Sequence, residues 1–90
     1  MARVSDDEIE KRLAGLPGWE RVGDAIRKQY SCGSFKHAMD FVNRVAGQAE
    51  TMDHHPDILI EYSKVTLTLT SHDVGGLTGR DFKLAAAIDA

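Results

Sequence analysis

Apolar residues recur along this chain at steps of three and four in some stretches and of two in others, and the switches between the two periods predict its elements. The first stretch is helical. Ser5-x-x-Glu8 has the form of a capping box, and Val4 with Ile9 that of a hydrophobic staple, so a helix opens there and runs to about Leu16 before Pro17-Gly18 stops it. Residues 19–22 then predict a strand, Gly23-Asp24 its turn, and residues 25–32 the returning strand, with Ile26, Tyr30 and Cys32 on one face. Gly33 breaks that hairpin and Ser34 caps a second, longer helix. Its apolar positions Phe35, Ala38, Val42, Val45, Ala49 and Met52 repeat at helical spacing. Pro56 disfavours the helical region at His55, so this helix ends between Met52 and His54.

Beyond that hinge Ile58, Ile60 and Tyr62 alternate with Leu59 and Glu61, and Ser63-Lys64 permits a turn into a strand over residues 65–70. Val65, Leu67 and Leu69 face one way; Thr66, Thr68, Thr70 and, if the strand persists, His72 face the other. Gly75-Gly76 ends the strand region. Thr78-x-x-Asp81 then repeats the capping-box form, with Leu77 and Phe82 as its staple, and opens a last helix through about Ile88. The order α-ββ-α-ββ-α predicts an α+β fold: one domain over residues 1–90, with a four-stranded antiparallel sheet carrying helices on one face, that of Val65, Leu67 and Leu69.

Composition narrows the setting. No apolar run approaches the roughly 18 residues needed to span a bilayer, and the first residues lack the apolar core of a signal peptide, so no membrane partner is expected. The single Cys32 cannot form an intrachain disulfide, and a cytoplasmic setting is the simplest expectation. A net charge of −3 offers no broad basic surface, which counts against nucleic acid as a partner. A chain of this size buries only about 60% of its unfolded surface, and a sheet of two hairpins has exposed edges, so a homodimer or homotetramer is expected.

Three of the four histidines, His54, His55 and His72, fall in the second half. Histidine titrates near neutrality, so proton transfer is the first chemistry to weigh, against the plain alternative of surface imidazoles that happen to cluster. Glu50 stands four residues before His54 and can hold its tautomer if the last helical turn persists; the alternative is a solvated carboxylate. His37, in the first turn of the long helix, reads as solvated or capping. Zinc is the rival chemistry, because Asp53, Asp57 and Asp73 flank these histidines. Adjacent side chains diverge, however, and neither an H-E-x-x-H nor a paired C-x-x-C spacing is present, so no metal is expected. Trp19 either stacks on a planar ligand or anchors the first strand to the core, the commoner use. Gly75-Gly76 lacks the G-x-x-x-x-G-K-[ST] context of a phosphate loop.

The run Gln48-Ala49-Glu50-x-x-Asp53-His54-His55-Pro56, followed by Tyr62-x-Lys64-Val65-x-Leu67-x-Leu69-Thr70-Ser71-His72-Asp73 and Gly76-Leu77-x-x-x-Asp81, resembles the pterin-4a-carbinolamine dehydratase family over nearly the whole chain. The resemblance implies a lyase that dehydrates 4a-hydroxytetrahydropterin to quinonoid dihydropterin, the recycling step that follows aromatic amino-acid hydroxylation, without metal or organic cofactor. It implies catalytic roles for His54, His55 and His72, and pterin binding by these three with Asp53, Thr70, Ser71 and Asp73. Glu50, Trp19 and Asp81 are implied nearby as support. In the animal members aromatic residues follow His-His-Pro, where this chain has Ile58-Leu59-Ile60. Two other readings keep the same cleft: a dimerisation cofactor, the second role of the animal members, and a pterin-binding accessory protein of molybdenum-cofactor metabolism.

Overall fold

The computed structural model describes residues 2–90, and its elements are α1 (Asp6–Ala14), β1 (Glu20–Val22), β2 (Ala25–Ser31), α2 (Phe35–Met52), β3 (Asp57–Glu61), β4 (Lys64–Leu69) and α3 (Gly79–Asp89). Their order is the α-ββ-α-ββ-α of the apolar pattern. The four strands form one antiparallel sheet in the order β1-β2-β4-β3, so the two hairpins meet along β2 and β4, and β1 and β3 are its edges.

Caps set the helix ends. The Ser34 hydroxyl accepts the His37 backbone N–H at 3.1 Å and starts α2, leaving the His37 side chain exposed. At α3 both halves of the capping box are made by Thr78 and Asp81. At α1 only half is: Ser5 accepts from the Glu8 N–H, but the Glu8 carboxylate turns forward to Arg12, one helical turn on. This helix stops at Ala14, short of Leu16, because the Gly15 N–H turns back to the Arg12 carbonyl and the Leu16 N–H to the Leu13 carbonyl, which closes the last turn. Other boundaries shift by a residue or two. The second hairpin turns at Tyr62-Ser63, not Ser63-Lys64, since Glu61 and Lys64 are already paired across the strands.

Val65, Leu67 and Leu69 are fully buried, and they share a core with Ile26, Ala38, Val45, Ala49, Leu84 and Ile88. Helices α2 and α3 therefore cover this one face, and each fully buried aliphatic side chain contributes about 1.5–3 kcal/mol through removal from water. The staple residues all lie in or against the core: Ile9, Leu77 and Phe82 are buried and Val4 packs against the cluster they belong to. Phe35 departs from the apolar stripe of α2. It is 51% exposed, because it sits in the first turn, beyond the reach of the sheet.

Strand β4 ends at Leu69, so His72 does not continue the threonine face. A bridge between Ser71 and Gly76 closes residues 71–76 into a turn, with the Ser71 N–H bonded to the Gly76 carbonyl at 3.0 Å, and His72 rides on it. The turn brings the chain back to the start of α3. As a result the end of α2, the end of β4 and the first turn of α3 meet at one place.

Candidate active site

Asp53 ends α2 in the left-handed region at φ 48°, ψ 43°, and this reversal decides where the two adjacent histidines go. The His54 backbone N–H still bonds the Ala49 carbonyl, but its side chain turns inward and is buried. His55 points out to solvent. The local i, i+4 geometry that would have joined Glu50 to His54 is lost, and the Glu50 carboxylate instead accepts a hydrogen bond from His55 Nε2. Glu50 therefore does not orient His54.

The partner of His54 comes from 27 residues further on. Its Nε2 lies 2.5 Å from Oδ1 of Asp81, a fully buried carboxylate in the first turn of α3. The other oxygen, Oδ2, accepts from the Ser71 hydroxyl at 2.8 Å and from the Thr78 backbone N–H at 2.9 Å. Counting protons orients the whole network. Asp81 already receives two donors on Oδ2 and acts as an acceptor throughout, so His54 Nε2 carries the proton it shares with Oδ1. The Ser71 hydroxyl spends its only proton on Asp81, so at their 2.9 Å contact Thr78 donates to Ser71. Thr78 in turn accepts from the backbone N–H and the Nε of Arg80, each at 3.3 Å. The tautomer that results leaves Nδ1 of His54 with a free lone pair. That nitrogen has no hydrogen-bond partner in the protein and is not sealed from solvent; among the described residues the buried side-chain atom without a partner is Oε1 of Gln48.

Above this network lies a cleft of about 360 Å³ lined by Asp53, His54, His55, Thr70, Ser71, His72, Asp73 and Arg80. Its size suits a small-molecule ligand. All seven residues expected to bind the pterin border it, and all three histidines reach it. Their surroundings differ: His54 is buried on a carboxylate, whereas His55 and His72 are exposed. Ser71 is only 1% exposed, so its hydroxyl supports Asp81 from below. The Thr70 hydroxyl donates to the Asp24 carbonyl at 2.6 Å and ties the cleft to the β1–β2 turn. A hydrogen bond from Arg80 holds the Asp73 carboxyl below the usual carboxylate range. Among the described residues no three His, Cys, Asp or Glu side chains converge as a metal site.

Trp19 does not support this cleft. It is buried at the opposite end of α3, where its Nε1 donates to Asp89 at 2.8 Å beside Lys28 and Tyr30. Sequence reasoning also passed over Arg80, whose only local signal is its place between the two capping residues of α3.

Comparison with known proteins bears on the family and the fold. The family model described as pterin 4 alpha carbinolamine dehydratase matches residues 2–90. A Roseiflexus castenholzii protein provisionally named pterin-4-alpha-carbinolamine dehydratase is 56% identical over 88 residues, covering 98% of this chain and 95% of its own. A relative from Mycobacteroides abscessus with the same provisional name is 47% identical over 89 residues, covering 99% and 95%. The crystal structure of a Brucella melitensis protein, described as a transcriptional coactivator/pterin dehydratase, superposes with a TM-score of 0.93 at 32% identity, covering 97% of this chain and 95% of that one. A pterin dehydratase-like RuBisCO assembly factor of the alpha-carboxysome shares the fold, with a TM-score of 0.65 at 22% identity over 79% and 82% of the two chains.

Proposed function

The chain belongs to the pterin 4 alpha carbinolamine dehydratase family, and from that premise we propose that it dehydrates a 4a-hydroxytetrahydropterin to the quinonoid dihydropterin by histidine acid–base catalysis. The observation that carries this reading is the His54–Asp81 pair at the floor of a cleft that also holds His55 and His72.

The reaction expels the 4a-hydroxyl as water and forms the C4a–N5 double bond. One proton must reach the leaving oxygen and one must leave N5, and two groups that titrate near neutrality suit the two transfers. His54 and His72 are assigned to that pair. Asp81 fixes the orientation of His54 and stabilises its ring when Nδ1 takes up a proton, as a buried carboxylate does for a catalytic imidazole. His72 approaches from the turn after β4, a different direction. His55, held by Glu50 at the exposed rim, helps to seat the pterin together with Asp53. The physiological setting we assign is the recycling that follows aromatic amino-acid hydroxylation.

Stopped-flow measurement of dehydration, with the spontaneous reaction subtracted, tests this. His54→Ala and His72→Ala are expected to lower kcat by about 10²- to 10⁴-fold each, the usual loss for a positioned acid or base. His55→Ala and Glu50→Gln should act chiefly on KM. A wild-type protein that leaves the spontaneous rate unchanged would be an interaction module and not an enzyme. A large kcat loss confined to His55→Ala would reverse the histidine roles.

A further inference from the structure

The two imidazoles assigned to proton transfer sit on separate segments, and one side chain ties those segments together. Arg80 extends from the first turn of α3 with Nε 3.3 Å from the Thr78 hydroxyl and one terminal nitrogen 2.7 Å from Oδ1 of Asp73. Thr78 belongs to the hydrogen-bonded chain that ends on His54, and Asp73 directly follows His72 on the 71–76 turn. We propose that Arg80 is a positioning residue for His72, holding the turn that carries this imidazole in register with the Asp81–His54 pair. The inference rests on the dehydratase reading of the cleft and adds a residue to it.

Three features support a positioning role over a merely stabilising one. An ion pair with side chains 30% and 58% exposed contributes little to folding stability, so its benefit is sought elsewhere. The turn has few other restraints: at its base Ser71 is anchored by the Gly76 bridge and by Asp81, whereas His72 and Asp73 at its outer end are exposed, with Val74 and Gly75 held only by long backbone bonds of 3.2 and 3.3 Å. The two bonds of Arg80 also demand a planar fork. A guanidinium can address Thr78 and Asp73 at once from fixed angles, and an ammonium on a flexible stem cannot. Small misplacement of an acid or base is costly in rate, because proton transfer requires approach to hydrogen-bonding distance.

The test is a set of kcat and KM measurements on Arg80→Ala, Arg80→Lys and Asp73→Asn, with Arg80→Ala repeated in a His72→Ala background. Arg80→Ala should lower kcat about tenfold with KM within twofold, Asp73→Asn should lower kcat by a similar factor whatever its own effect on KM, since Asp73 also borders the cleft, and Arg80→Lys should recover part of the loss. In the His72→Ala background Arg80→Ala should cost less than twofold, because nothing remains for it to position. A full tenfold cost in that background, or a loss confined to KM, overturns the proposal in favour of direct contact with the pterin. Unchanged kcat in Arg80→Ala and Asp73→Asn, with wild type active, overturns it while leaving the dehydratase reading intact. Should Arg80→Ala fold poorly, the exposed Asp73→Asn carries the same comparison. Wild-type protein without activity removes the reading and the inference together.

Discussion

Asp81 serves two masters through its two oxygens. Oδ2 caps α3 and takes the Ser71 hydroxyl, while Oδ1 takes the ring proton of His54. Asp81→Asn separates the jobs. The amide keeps the shape, but it carries no charge to stabilise a protonated imidazole, and its NH2 group must face either His54 or two other donors. The expected outcome is a fall in kcat of about 10²-fold or more, with a loss of about 1–3 kcal/mol in urea unfolding for the donor left without a partner. A variant with normal kcat but the same unfolding loss would show that Asp81 is structural only.

At the scale of elements, the β3–β4 hairpin turns through Tyr62 at φ 54°, a left-handed value that costs an ordinary side chain energy and costs glycine none. Tyr62 is 75% exposed, so no burial offsets the strain. Tyr62→Gly should raise stability by about 0.5–1 kcal/mol, the relief of strain exceeding the added freedom of the unfolded chain, and thermal unfolding reads this directly. The far end of α3 is held differently. Asp89 accepts from Trp19 at 2.8 Å, Lys28 at 2.9 Å and Tyr30 at 2.5 Å, clamping the last turn to β2 and the residue before β1. Burial pushes the Asp89 carboxyl up, but hydrogen bonds from Tyr30, Lys28 and Trp19 outweigh it and hold the group below its ordinary 3.8. A carboxyl with a depressed folded-state pKa stabilises the fold fully above the unfolded value and loses that contribution as pH falls through the folded one. Asp89→Asn should therefore be destabilised by about 1–3 kcal/mol at pH 7, and the gap from wild type should narrow as pH drops below about 3.8. Urea titrations from pH 7 to pH 2 measure both parts; a gap independent of pH would deny the clamp its charge.

For the molecule as a whole, the sheet covers one face with α2 and α3 and leaves β1 and β3 as open edges. On β3 Ile58 is 36% and Leu59 55% exposed, beside unpaired backbone groups. Both features favour a second copy on this edge. Light scattering at micromolar concentration should give a multiple of the 9.9 kDa chain mass, and Leu59→Lys should shift the population toward that single-chain mass. A wild-type mass of one chain would remove the oligomer. No helix among the described residues is long and apolar enough to cross a membrane.

The linear chain alone determined the element order, the caps at Ser34 and Thr78 and the buried face of β4. Each of these is a local pattern: periodicity records which face of an element is buried, and a capping residue acts within three positions of itself. The meeting of His54 and His55 with His72 at one cleft, and the partners these histidines find, are not local. Glu50, four residues from His54, pairs with His55 because the left-handed Asp53 breaks the helical spacing between them. Asp81 reaches His54 only because the 71–76 turn folds α3 back over the end of β4. The same turn ends the alternation that would have set His72 on the threonine face, and α3 carries Asp89 and its partner Trp19 away from the cleft. Tertiary structure decided which acidic group serves which imidazole, since that choice depends on how α2, β4 and α3 converge and no spacing along the chain records it.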